Sequence, residues 1–181
     1  MSSRGAPPSR RWVLALLAVI GMAASLVSAV EEKAVGSGEE LRLAAIAFQP
    51  ANSGTNYVVE EGGLGHLCTT KGAGYFLAPV RLVDGAVIEE VTVFLEDYSP
   101  DSLGMMSLVR RKLERFDVLA LTPISVGTGK VETLSTTEIS APVIDNHDAT
   151  YLLQVLLSGP GVCLHGARVH YRVPEAVRSE K

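Results

Sequence analysis

From residue 43 to residue 174 the apolar residues come in short β-branched or aromatic runs, and Gly, Pro, Asn or Asp stands between nearly every pair of them. A chain interrupted that often cannot sustain long helices, and a period of two turns alternate side chains to opposite faces of a strand. Residues 87–97 show the pattern most clearly. Val91, Val93 and Leu95 alternate with Thr92, Phe94 and Glu96, and Asp84-Gly85 supplies a turn just before them. Further strands are expected at 43–48, 66–69, 75–80, 118–121, 131–134, 151–157 and 162–173. Eight or nine strands fit two packed sheets, so the expected class is all-β: a two-sheet antiparallel β-sandwich of jelly-roll type.

Residues 99–116 read two ways. Ser99 could cap a helix with Pro100 at its first position, and Leu103, Met106, Val109, Leu113 and Phe116 recur at helical spacing. As a strand, the same stretch puts Leu108, Arg110 and Lys112 on one face and Val109, Arg111 and Leu113 on the other.

The N-terminal thirty residues belong to a different class. Arg4, Arg10 and Arg11 precede 19 uncharged residues, 12–30, rich in Leu, Ala and Val, and Val27-Ser28-Ala29 offers the small residues a signal peptidase reads. The expected organisation is an export signal over 1–29 and a polar linker over 30–42 containing Gly36-Ser37-Gly38. The β-sandwich domain follows over 43–174 and a polar tail over 175–181. The alternative is an uncleaved hydrophobic helix anchoring the chain in a membrane through residues 12–30, since 19 helical residues rise about 28 Å. The paired arginines before Trp12 also resemble the twin-arginine export pattern.

Removing residues 1–29 takes three arginines and no acid, which leaves 13 basic against 20 acidic side chains and moves the formal charge from −4 to −7. A domain this acidic lacks the footprint of a nucleic-acid binder, and none is expected as a partner. The lone tryptophan, Trp12, leaves with the signal, so the domain has no tryptophan platform for stacking a sugar.

The segment 79–88, Pro-Val-Arg-Leu-Val-Asp-Gly-Ala-Val-Ile, runs into a strand ending at Asp97. Downstream, Ile144-Asp145-Asn146 precedes Tyr151-Leu152-Leu153-Gln154-Val155, and Cys163-Leu164-His165-Gly166-Ala167-Arg168-Val169-His170-Tyr171 closes the domain. In their order these elements resemble uncharacterised secreted bacterial β-sandwich proteins over roughly residues 44–174. The resemblance implies a strand within 99–116 and carries over no catalytic or binding residue.

Cys68 and Cys163 are the only cysteines, and an even count in an exported chain is most simply a disulfide. Two buried thiols are the plainer alternative. The sharper one is a metal site, because His66-Leu67-Cys68 and Cys163-Leu164-His165 are mirror images whose period of two puts each histidine on the face of its cysteine. His66, Cys68, Cys163 and His165 would then be a tetrahedral set, although zinc knuckles usually hold two to four residues between ligands. No cofactor or metal is expected.

Asp97 with Asp101, and Asp145 with Asn146 and Asp148, offer oxygen ligands in two turns. Turn chemistry explains them without calcium. Gly62-Gly63-Leu64-Gly65 lacks the lysine and helix start of a phosphate loop and reads as a turn. No nucleophile elbow or zinc-protease helix motif is present. Arg110, Arg111, Lys112 and Arg115 form the one basic cluster, either a solvated strand face or a docking patch for an acidic partner or anionic polymer. The expected function is therefore an exported, non-enzymatic module with a structural, surface or binding role and an envelope or surface partner. The rival is a small extracytoplasmic hydrolase with its site on sandwich loops, which a deep pocket holding His147 or His170 beside an acid would favour.

Overall fold

Along the strand Val87–Asp97 the alternation becomes burial. Val91, Val93, Leu95 and Asp97 are fully buried, whereas Glu90, Phe94 and Glu96 on the other face are half-buried. Strands of this kind make up the computed structural model, which describes residues 38–60 and 65–175. The readings for 1–29, for 30–37, for Gly62 to Leu64 and for 176–181 lie outside the described residues.

In chain order the strands are β1 Glu39–Ala44, β2 Gln49–Pro50, β3 Asn56–Val59, β4 Leu67–Lys71, β5 Gly74–Val80 and β6 Val87–Asp97. They continue with β7 Gly104–Arg111, β8 Phe116–Leu121, β9 Val131–Thr136, β10 Thr150–Leu157 and β11 Val162–Arg172. One sheet has the order β3-β4-β11-β6-β9 with β1 also on β11; the other has the order β2-β5-β10-β7-β8. Every pairing is antiparallel. From β4 onward the chain crosses between the sheets at every connection except the β7–β8 hairpin, four strands in each, and this is the jelly-roll arrangement the sequence predicts. Phe76, Leu108 and Leu153 from the five-stranded sheet meet Val93, Leu95 and Leu164 from the other in a continuous, fully buried core.

Residues 99–116 adopt the strand reading. β7 pairs along its whole length with β10 and along its second half with β8. Partners distant in sequence override the local helical spacing of Leu103, Met106 and Leu113. Ser99 caps no helix; its N–H donates to Asp97 Oδ1 at 3.0 Å and its hydroxyl accepts from the Asp101 N–H at 3.3 Å, a turn.

Three strands differ from expectation. β1 begins at Glu39, inside the stretch read as linker, and stops at Ala44, where a 3-10 turn, Ala45–Ala47, replaces the expected continuation to 48. Its charges conceal a two-residue alternation: Leu41 and Leu43 pack against the core while Glu40 and Arg42 face out and pair with each other. Neither β2 nor β3 is among the expected strands.

β11 is flanked by β6 on one edge and, on the other, by β4 and β1 in tandem. β4 meets it only at Cys163↔Cys68 and Leu164↔Leu67, and β1 takes over from Gly166 to Tyr171. At the changeover Gly166 has φ +153°, and a Cβ there would lie 2.7 Å from the Leu43 carbonyl oxygen, so the close approach of β1 requires glycine.

Candidate functional site

Two constellations stand on opposite outer faces of the sandwich. The first lies on the six-stranded sheet, where a cross-strand row runs Val58, Cys68, Cys163, Glu96 and Val131. Cys68 and Cys163 are directly opposed and disulfide-bonded, with Cα atoms 4.1 Å apart. The separation is slightly below the usual range for disulfides because facing residues on paired antiparallel strands approach this closely.

Period two brings both histidines beside the bridge. The rings of His66 and His165 lie 5.0 Å apart at a 32° tilt. His66 Nε2 is 2.9 Å from Glu60 Oε2, and His165 Nε2 is 3.0 Å from Glu96 Oε2. Glu96 also accepts a hydrogen bond from the Tyr98 hydroxyl, and that bond, foremost, with His165 adding to it, holds its carboxyl below the usual 4.5. The Tyr98 phenol is correspondingly raised, chiefly by the same bond. Of the four residues weighed as metal ligands, three bring ligating atoms within 4.8 Å of one another: His66, Cys68 and Cys163. His165 falls outside that group.

The second constellation is the outer face of the five-stranded sheet. Register aligns Pro79, Leu152, Val109 and Val118 in one row and Leu77, Gln154, Ser107 and Leu121 in the next. The hairpin joining β7 to β8 rises at one end of this face. A groove of about 420 Å³ lies beneath it, with Val109, Leu152 and Gln154 as floor and Arg111, Lys112 and Phe116 among its walls. A second hollow of about 380 Å³ on the far side of the hairpin shares Arg111, Lys112 and Leu113 and includes His147. Phe116 is 68% exposed and Leu113 is 99% exposed, so apolar side chains and cations are presented together.

The basic cluster divides in this geometry. Arg110 donates to Asp117 Oδ2 through Nη2 at 2.8 Å and Nε at 3.2 Å, and Arg115 Nε lies 3.9 Å from Asp117 Oδ1. The Arg110 hydrogen bonds lower the Asp117 carboxyl pKa and raise that of the guanidinium. Arg111 and Lys112 form no ion pair among the described residues.

The remaining sequence candidates have structural work. Asp97 is fully buried and accepts from the Ser99 N–H and the Ser125 hydroxyl; Asp101 is exposed in the adjoining turn. Asp145 Oδ1 accepts from the His147 N–H at 3.1 Å, and Asn146 Nδ2 donates to the Leu82 carbonyl at 3.0 Å. Asp148 is exposed. His147 Nε2 is 3.8 Å from Asp84 Oδ2, and His170 Nδ1 is 3.4 Å from Glu89 Oε2. Both histidines therefore have an acid beside them, but His147 is 87% exposed in an open hollow and His170 is 39% exposed on a sheet face. Neither sits in a deep pocket, and no serine hydroxyl bonds to a histidine among the described residues.

Sequence reasoning missed Glu60, Glu96, Tyr98, Asp117, Phe116, Leu152 and Gln154. One signal was available: four residues, 112–115, between two strands set Arg111 opposite Phe116 and Arg110 opposite Asp117.

No protein-family model matches the chain, and no curated protein is similar to it in sequence. Solved structures share its fold. The C-terminal family 6 carbohydrate-binding module of a laminarinase from Zobellia galactanivorans is 13% identical, with 72% of this chain and 98% of that one covered at a TM-score of 0.50. A family 6 carbohydrate-binding module from Clostridium cellulolyticum, in complex with xylose, is 13% identical over 70% of this chain and 94% of its own, with a TM-score of 0.48. A Clostridium stercorarium module of that family, in complex with cellobiose, is 13% identical over 71% and 90% at a TM-score of 0.44. The first of these likenesses shows the β-sandwich.

Proposed function

We propose that this chain is a non-enzymatic binding module acting outside the cytoplasm, exported through residues 1–29, and that it holds an anionic polysaccharide in the groove under the β7–β8 hairpin. The observation that carries the reading is an apolar floor beside Arg111 and Lys112, which form no ion pair among the described residues although Glu114 shares the groove wall. Sugar rings present C–H faces that pack on Val109, Leu152 and Phe116, and Gln154 offers an amide to hydroxyls. Carboxylate or sulfate groups along the polymer meet Arg111 and Lys112. The acidity of the rest of the domain repels a polyanion and so directs it to this one basic edge. The laminarinase module of similar fold is a carbohydrate-binding module, which supports a saccharide as the occupant. The Cys68–Cys163 bridge supports an oxidising compartment.

The test is calorimetric titration with polygalacturonate and, separately, a neutral β-glucan. Binding to the acidic polymer is expected to weaken as salt rises past about 0.15 M and to vanish in Arg111→Glu/Lys112→Glu. Equal binding of the neutral polymer, or preferential uptake of duplex DNA, refutes the reading.

A further inference from the structure

The disulfide cluster contains one atom that the oxidised fold leaves idle. His66 Nδ1 is buried and has no hydrogen-bond partner, the only such side-chain atom among the described residues. The other ring nitrogen, Nε2, is held by Glu60 at 2.9 Å. A histidine whose one nitrogen donates to a carboxylate is fixed in the tautomer that leaves a lone pair on the other, the arrangement that orients imidazole ligands toward metals.

We propose that reduction of Cys68–Cys163 opens a site for a thiophilic divalent cation, zinc above all, bound by the two thiolates and His66 Nδ1. Three observations converge on it. A ring nitrogen of His66 and both sulfurs lie within 4.8 Å of one another, near enough to close on a single tetrahedral ion with a small shift once the S–S bond is gone. The cysteines are opposed by strand register, so β4 and β11 keep the thiols adjacent once the bond is gone. The cluster also faces outward, since Leu67 and Leu164 between the cysteine–histidine pairs are the residues turned into the core, and the His66 side chain is 19% exposed. An ion can reach it without opening the sandwich. Soft thiolates with imidazole select zinc over calcium or magnesium.

With the bridge intact the sulfurs are bonded to each other and offer no thiolate, so the site is closed. A dithiol reductant opens it: two electrons and two protons pass to the bridge, the reductant becomes a disulfide, and Cys68 and Cys163 become thiols. The cation then displaces the two thiol protons to solvent. The fourth position is left to water, with His165 stacked on His66 and tied to Glu96 at its side. Metal closes the same loop that the disulfide closes, so the fold exchanges one crosslink for another according to its redox surroundings.

Cobalt(II) is the probe, because thiolate coordination gives it an ultraviolet charge-transfer band that oxygen and nitrogen ligands do not. The chain is titrated with cobalt after reduction by a phosphine and, in parallel, oxidised. The reduced chain should take up one equivalent, show the band and release cobalt to zinc; the oxidised chain should show no band. Glu60→Gln should weaken cobalt binding by about 10- to 100-fold, and His66→Gln by more. If reduction alone unfolds the chain, the readout becomes recovery of the β dichroism on adding zinc, with His66→Gln failing to recover. A folded reduced chain that takes no cobalt overturns the proposal. So does a band indifferent to His66→Gln, an equal band in the oxidised chain, or an unfolded reduced chain that zinc does not restore.

Discussion

Removing the Cys68–Cys163 crosslink by Cys68→Ala with Cys163→Ala tests how the first sheet is held together. The bridge spans 95 residues, and closing a loop of that length removes about 4.7 kcal/mol of unfolded-chain freedom at 25 °C in the chain-entropy model. Measured effects are commonly smaller, so a loss of roughly 2 to 5 kcal/mol is expected. Against a total stability of about 5 to 15 kcal/mol this is a large fraction. Apart from the bridge, β4 is tied to the rest of the domain by its short pairing with β11, by buried Leu67, and by the Thr69 hydroxyl on the Gly159 carbonyl at 2.6 Å. Without the bridge β4 still pairs with β11, but the β3–β4 hairpin should open before the rest of the domain as urea rises, which broadens the transition and lowers its apparent m-value. Urea unfolding followed by dichroism, with a chelator present throughout, compares the oxidised chain, the phosphine-reduced chain and the double variant. Chelator alone should leave the oxidised chain unchanged. Midpoints agreeing across all three species at constant m would refute both the entropic argument and the peripheral status given to the hairpin.

Gly166→Ala should cost about 1 to 3 kcal/mol, since the new methyl meets the Leu43 carbonyl at a backbone angle that side chains rarely adopt; unchanged urea stability would contradict the close docking of β1. Phe76→Ala, at a fully buried position with the Tyr57 ring edge-on 5.5 Å away, should lose about 3 to 5 kcal/mol in the same assay. Tyr98→Phe should raise the Glu96 carboxyl pKa toward 4.5, read by carboxyl NMR titration, because the lost hydroxyl is the main cause of its lowering. A carboxyl lowered by folding contributes stability above its unfolded pKa and loses it as pH falls through the folded value, so the variant should also lose part of its pH dependence of stability on the acid side of 4.5. No movement of the Glu96 titration would remove Tyr98 as the cause.

What was legible in the residues was whatever strand geometry dictates locally. Val91, Val93 and Leu95 announce a face by their spacing alone, and the same period of two placed His66 with Cys68 and Cys163 with His165. Their meeting across β4 and β11 was inferred from the count of cysteines. β1 was hidden because Glu39, Glu40 and Arg42 read as solvated linker, although Leu41 and Leu43 already alternated with them; a partner strand more than 120 residues later decides the matter. The carboxylates that finish the histidine cluster arrive from β6 and from the chain after β3, and no local pattern pairs Glu60 with His66 or Glu96 with His165. The basic run looked uniform in one dimension, whereas the β7–β8 register assigns Arg110 to Asp117 and leaves Arg111 and Lys112 to the groove.

β11 is the shared neighbour of β1, β4 and β6, and among the described strands it comes last in the chain. Until Val162–Arg172 exists, β1 has no strand to pair with and nothing joins the β3–β4 and β6–β9 pairs, so the six-stranded sheet cannot assemble from its earlier parts. Contacts so distant in sequence make for slow folding, with loop closure completed before the β11 pairings are gained. A nascent chain of this topology remains threadable for as long as its final strand is missing, the state required of a polypeptide that must pass a membrane pore before it folds. The same delay exposes the apolar edges of β4 and β6 to other chains, so shortening β11 from its C-terminal end should show itself as aggregation before it shows as a smaller folded domain.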